Sequence, residues 1–117
     1  MRCRISTLFF DIMKIANTPK PPYYAVIFTN LVTEELEGYE ETADRMVELA
    51  QQQEGFLGFE SVRDGLGITV SYWKDLESIK NWKYNLEHSV ARKKGNEKWY
   101  SSFKTRIALV ERDYGKE

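Results

Sequence analysis

The sequence has little of the side-chain chemistry on which most enzymes and metal proteins depend. Its 117 residues include one cysteine, Cys3, and one histidine, His88. A single cysteine cannot close an intramolecular disulfide or build a thiolate cluster, and this favours a reducing, cytoplasmic setting. A single histidine excludes a multi-histidine metal site. The carboxylates scatter along helix faces and fit a solvated surface, so we predict no metal site.

Long apolar runs and an excess of one charge are also missing. The formal net charge is −1, from 17 Lys and Arg against 18 Asp and Glu, which gives a nucleic-acid partner no electrostatic basis. Asp11 and Lys14 interrupt the apolar residues of the N-terminus, which argues against a signal peptide. No stretch is long enough to cross a bilayer, so we expect no membrane partner. Phosphate loops, dinucleotide-binding fingerprints and nucleophile elbows are absent as well.

The N-terminal residues differ in composition from the rest. Residues 1–12 precede a second methionine, Met13, and we interpret them as an extension, with an extra strand or helix packed on the body as the alternative. Three prolines between Pro19 and Pro22 make the next segment a stiff, extended lead-in. We therefore predict an extension and lead-in over residues 1–22 and one folded domain over residues 23–117.

Hydrophobic periodicity divides that domain into six elements. Strands are predicted at Tyr23–Val32, Phe56–Arg63, Ile68–Trp73 and Phe103–Tyr114. Helices are predicted from Thr33 to about Gln53 and from Asp75 to Gly95, with Asn85 at a kink or a break and with Trp99 and Tyr100 in a connector. The order β-α-β-β-α-β predicts an α+β, ferredoxin-like fold, in which two helices cover one face of a four-stranded antiparallel sheet.

The second face of such a sheet has no helix to cover it. Apolar residues are predicted on that open face at Tyr23, Ile27, Val70, Ala108 and Val110. A second copy of the chain is the simplest cover, so we predict a homodimer that forms through the open face.

The candidate site is an aromatic region with a few polar groups, which is the usual composition of a small-molecule site. We assign substrate binding to Trp73, Trp82 and Tyr72, and catalysis to His88, Asn30 and Trp82. His88 is the candidate base, since an imidazole titrates near neutrality. The alternative is structural, because indoles in a core usually serve packing and Asn30 would then satisfy backbone groups at the end of a strand.

The same region carries a resemblance to a known family. The matching positions are Trp73-Lys74-Asp75, Glu77, Trp82, Glu87-His88, Ala91, Gly95, Trp99-Tyr100 and the final strand from Arg106 to Tyr114, with Glu54 to Ser61 upstream. This pattern resembles the antibiotic biosynthesis monooxygenase family of the dimeric α+β barrel superfamily, over about Tyr23 to Tyr114.

The resemblance implies a cofactor-independent monooxygenase that acts on an aromatic, quinol-type small molecule. A non-catalytic small-molecule-binding or stress-associated module of the same fold is the alternative. Related branches degrade haem with an Asn on the first strand, a Trp on the second helix and a His further along it. Asn30 and Trp82 match the first two positions, but the third falls at Arg92, so haem is disfavoured and no cofactor is expected.

Overall fold

The computed structural model describes residues 14–116 and contains one antiparallel sheet of four strands in the order β2-β3-β1-β4. The strands are β1 Tyr23–Val32, β2 Phe56–Asp64, β3 Leu66–Trp73 and β4 Tyr100–Val110. The helices are α1 Tyr39–Gln51, α2 Leu76–Lys83 and α3 Leu86–Lys94, and a π-helical segment spans Gly95–Trp99. The ferredoxin-like prediction is confirmed, and the predictions for residues 1–12 lie outside the described residues.

Strand register decides which side chains share a face of the sheet. On β1, Tyr24 lies opposite Trp73 and Asn30 lies opposite Gly67. Successive side chains of a strand point to opposite faces of the sheet. Trp73 packs against Trp82 of α2, so Trp73 and Asn30 both point to the helix side, which is the face of the sheet that the helices cover. Tyr72, next to Trp73 on β3, points to the open face.

The first helix is shorter than predicted. The backbone N–H of Thr33 donates to the carbonyl of Trp99 at 2.7 Å, which ties this residue to the end of β4. Gly38 has a φ of 81°, a left-handed conformation that only glycine adopts without cost, and α1 begins at the next residue. The predicted start at Thr33 is therefore wrong, because residues 33–38 form a connection tied to the sheet.

The second predicted helix is two helices. Asp75 caps α2 as predicted, by accepting from the backbone N–H of Ser78 at 2.8 Å. Asn85 caps α3 in the same way, by accepting from the backbone N–H of His88 at 3.0 Å. Asn85 therefore marks a break, since its own backbone is extended and its side chain satisfies the new helix start.

The last strand begins and ends earlier than predicted. Trp99 lies in the π-helical segment, where its indole N–H donates to the carbonyl of Glu37 at 3.1 Å. Tyr100 opens β4, and Val110 closes it opposite Tyr23, the first residue of β1. The predicted strand Phe103–Tyr114 is wrong in its bounds, because β1 offers no partner beyond Tyr23.

The lead-in before β1 and the segment after β4 cover part of the open face. Tyr23 is only 4% exposed, and its hydroxyl donates to Asp113 at 2.5 Å and contacts Thr18 at 2.9 Å. Tyr72 donates to Glu60 at 2.7 Å, and the same carboxylate accepts from the backbone of Ala16 at 3.0 Å. None of the described helices covers this face, but the lead-in and the segment after β4 cover part of it, where the sequence predicted bare apolar surface.

The described helices are all too short or too polar to cross a membrane.

Candidate functional site

One end of the helix side holds a stack of aromatic rings, here called the indole stack: Trp73, Trp82 and His88. Trp73 is fully buried, and its indole N–H donates to Ser71 at 2.9 Å. Trp82 lies 6.1 Å from Trp73 between ring centroids, and the His88 imidazole lies 3.9 Å from the Trp82 ring at an angle of 10°. The imidazole therefore covers one face of the indole that was predicted to bind substrate.

The environment of His88 fixes its tautomer and lowers its basicity. Its Nδ1 lies 2.8 Å from the carbonyl oxygen of Trp82, and a carbonyl only accepts, so Nδ1 carries the proton. Burial lowers the pKa of His88, the Trp82 carbonyl acts in the opposite direction, and the charge of Arg92 lowers it further. His88 is therefore neutral at pH 7, with the lone pair on Nε2.

Asn30 lies at the other end of the helix side. It follows Tyr24, the partner of Trp73, by six residues on β1, which is about 20 Å at 3.3 Å per residue. Its side chain contacts Arg63, and those of Trp82 and His88 contact each other. The structure therefore brings together Trp73, Trp82 and His88, and it leaves Asn30 apart from them.

Four residues that lie side by side across the four strands form a row that contains Asn30. The row reads Phe103 on β4, Asn30 on β1, Gly67 on β3 and Arg63 on β2. The Arg63 guanidinium reaches across Gly67 and donates to the Asn30 side-chain oxygen. Because a guanidinium cannot accept, this contact orients the amide. Within residues 14–116 no group accepts a hydrogen bond from the Asn30 nitrogen, so both of its N–H groups are left to donate.

Two tyrosines complete this cluster, here called the Arg63 site: Asn30, Tyr39, Arg63 and Tyr100. Arg63 donates to the Tyr39 hydroxyl at 3.3 Å. The Tyr39 ring meets the rings of Trp99 and Tyr100 edge to face, at 5.5 and 5.9 Å between centroids. Burial raises the pKa of Tyr100, neighbouring Tyr39 adds to this, and Arg63 acts in the opposite direction. The Tyr100 hydroxyl is therefore protonated at neutral pH and remains a donor.

Sequence reasoning found Asn30 in this site and missed Arg63, Tyr39 and Tyr100. The available signal was the position of Arg63 at the end of a strand, just before the Asp64-Gly65 turn. Strand pairing is needed to show that the row from Arg63 leads to Asn30. Tyr72, predicted to bind substrate beside Trp73, lies on the open face in edge-to-face contact with Tyr23 at 5.8 Å.

The residues at the haem-related positions do not fit a haem site. Arg92, at the ligand position, is exposed and donates to the carbonyl of Lys83 at 3.2 Å, and a guanidinium does not ligate iron. Among residues 14–116, no three His, Cys, Asp or Glu side chains are grouped closely enough to hold a metal ion.

The structure also shows a groove away from both clusters. It has a volume of about 650 Å³ and runs between the lead-in, Thr18–Pro21, and the segment Glu111–Tyr114. These residues belong to neither the indole stack nor the Arg63 site, so the groove adds no side chain to either cluster.

Comparison with known proteins identifies the family of the chain. The sequence model of a family described as antibiotic biosynthesis monooxygenase matches residues 22–94. The uncharacterized protein YqjZ of Bacillus subtilis (strain 168) is 53% identical over 100 residues, which cover 84% of this chain and 88% of that protein.

Solved structures share the fold at low identity. A variant of SnoaB, a cofactor-independent oxygenase from Streptomyces nogalater, superimposes with a TM-score of 0.69 at 9% identity, over 80% of this chain and 98% of that chain. PA3566 from Pseudomonas aeruginosa gives a TM-score of 0.65 at 17% identity, over 82% of this chain and 99% of that chain. The match to the family's sequence and the close relative together show that the chain belongs to the antibiotic biosynthesis monooxygenase family.

Proposed function

We propose that the chain is a cofactor-independent monooxygenase that oxidises an electron-rich, quinol-type aromatic molecule at the Arg63 site. The observation that carries this proposal is Asn30, a nearly buried amide, 4% exposed, whose N–H groups have no acceptor among residues 14–116 and lie among aromatic rings. An apolar site with a few convergent polar groups is the usual setting for a small aromatic ligand.

The reaction needs no oxidant other than dioxygen. An ionised naphthol gives one electron to O₂, and the resulting radical and superoxide combine to form a C–O bond. The hydroperoxide then loses water, so one oxygen atom enters the product as a quinone carbonyl and the other leaves as water. The protein binds the ring, stabilises the anion and keeps bulk water away, and Asn30 donates to the carbonyl or hydroperoxide oxygen.

His88 marks a second position for the same chemistry. Its Nε2 lone pair can take the phenol proton, with Trp82 and Trp73 as the apolar wall that the sequence predicted. The Arg63 site is favoured because one face of Trp82 is covered by the imidazole and Trp73 is fully buried. The imidazole therefore closes one face of Trp82 to a substrate, and Trp73 offers no exposed ring surface.

The test is oxygen uptake by the purified protein with a panel of naphthols and hydroquinones, without added metal or flavin. We expect one O₂ consumed for each quinone formed. We expect Asn30→Ala to lower the rate about 100-fold, as when one donor to a developing oxyanion is removed, and His88→Gln to lower it less than threefold.

Each other outcome has a definite meaning. The reverse order of the two variants would move the reaction to the indole stack. Binding of these compounds without oxygen uptake would favour the non-catalytic small-molecule-binding or stress-associated module. A Soret shift on titration with haemin that disappears in His88→Ala would favour a haem protein instead.

We also propose that two chains associate through the open face. Exposed apolar side chains at the far end of this face support the proposal: Leu31, Val62 and Leu66. The lead-in and the segment after β4 cover the region around Tyr23, so the contact between the two chains would centre on the opposite end of the open face.

A further inference from the structure

The Arg63 guanidinium carries a charge that its hydrogen-bond partners in the described part of the chain do not neutralise. Within residues 14–116 its hydrogen-bond partners are the side-chain oxygen of Asn30, the carbonyl of Gly65 and the hydroxyl of Tyr39, and all of these are neutral. Arg45, in contrast, holds Glu87 through two hydrogen bonds of 2.7 and 3.1 Å. The Arg63 guanidinium is therefore available to bind an anionic group.

The guanidinium is held in place before any ligand arrives. A Cβ on Gly67 would lie 2.4 Å from the guanidinium carbon and one of its nitrogens, so the missing side chain of this glycine makes the room in which Arg63 lies. Asn30 and Tyr39 fix the planar group from two further sides. A cation that is already positioned loses little conformational entropy on binding a ligand.

An aromatic cluster extends from Tyr100 of this site to the surface of the protein. Phe28 contacts the Tyr100 ring at 5.3 Å and the Phe103 ring at 5.8 Å between centroids. Phe103 is 49% exposed, so the aromatic cluster is open to solvent on the β4 side. A flat ring that enters there would pack against phenyl groups and bring an attached oxygen towards the guanidinium.

We propose that the Arg63 site recognises a planar aromatic anion, with an ionised oxygen of the ring's carboxylate or phenolate group held by the Arg63 guanidinium. The inference rests on the proposed function for placing the substrate at this site, but binding of the anion requires no turnover. It adds to the proposed function that the site selects its substrate by negative charge as well as by the aromatic ring.

The test is isothermal titration calorimetry with two probes that share one ring system, 2-naphthoate and its neutral methyl ester. We expect the carboxylate to bind at least tenfold more tightly than the ester. Arg63→Met should weaken naphthoate binding about tenfold to hundredfold, the range for one hydrogen bond to a charged group, and leave ester binding unchanged.

Two further variants separate charge from position. Asn30→Asp places a carboxylate beside Arg63 and should abolish the preference for naphthoate while the site keeps its shape. Gly67→Ala keeps the charge but displaces the guanidinium, and it should weaken naphthoate binding as Arg63→Met does. Arg92→Met is the matched control, because this arginine also donates to a backbone carbonyl but lies on α3 beside the indole stack, and it should bind as the unmodified chain does.

Equal affinity for acid and ester, no binding of either probe, or full naphthoate binding by Arg63→Met with a normal circular dichroism spectrum would overturn the inference. Selective naphthoate binding by a protein that oxidises no quinol would keep the inference and reject the oxygenase. Turnover of neutral quinols with unchanged rates in Arg63→Met would keep the oxygenase and reject the inference.

Discussion

His88 shows how a single side chain acquires its properties from two contacts. The Trp82 carbonyl holds the proton on Nδ1, and the Trp82 ring covers one face of the imidazole. The sequence identified His88 as the only residue that titrates near neutrality, because that is an intrinsic property of imidazole. It did not indicate the direction of the pKa shift, since burial and the position of a carbonyl are set by packing.

We expect the Cε1 proton of His88 to titrate with a midpoint below the ordinary value of 6.5, because burial lowers its pKa. NMR tests this directly, since the chain contains no other histidine. The unfolded chain then binds the proton at a higher pH than the folded chain does. The contribution of His88 to the free energy of unfolding should therefore be constant above about pH 6.5 and decrease as the pH falls from there through the folded pKa.

The control is His88→Gln, whose free energy of unfolding should lack that decrease between pH 6.5 and the folded pKa. A midpoint above 6.5 would contradict the description of His88 as a buried, neutral base.

The helix starts at Asp75 and Asn85 are each defined by one capping side chain. The aspartate before α2 could be identified from sequence, because a carboxylate that precedes an apolar periodic run is a common cap. At Asn85 the sequence left a kink or a break open, because asparagine is compatible with both. The structure shows a break, and the same asparagine side chain that caps α3 bonds to the backbone of His88.

Replacing Asn85 with alanine should lower the free energy of unfolding by about 1 kcal/mol, the usual cost of losing such a cap. Chemical denaturation monitored by circular dichroism measures this. Asn85→Asp should retain most of the stability, because its carboxylate also accepts from the first turn.

Asn81→Ala is the matched control, because Asn81 is exposed in the interior of α2 and alanine is the better helix former there. If the two alanine variants were equally stable, the cap would contribute nothing to stability.

The four-stranded sheet has one face that the helices cover and one open face, as the sequence predicted. The open face is bare at one end, where Val62 is 65% exposed, and is covered by the ends of the chain at the other. A bare apolar strand surface of this kind favours association between copies.

Light scattering at micromolar concentration should give twice the mass of one chain, and Val62→Glu should give the mass of one chain, because a buried charge opposes a contact through the open face. Ser61→Glu is the control. Ser61 is the preceding residue of β2 and points to the helix side, so this variant should remain a dimer. A monomeric unmodified chain would refute the proposed association.

The sequence by itself determined the elements, the fold and the family, because hydrophobic periodicity, caps and turn residues act over a few neighbouring positions. It also identified Asn30, Trp82 and His88 as unusual residues. Only the tertiary structure decided that Asn30 stands apart from His88 and shares a row with Arg63. That row depends on the pairing of β1, β3 and β2, which joins residues 33 positions apart, and side-chain packing between distant segments leaves no local pattern in a sequence.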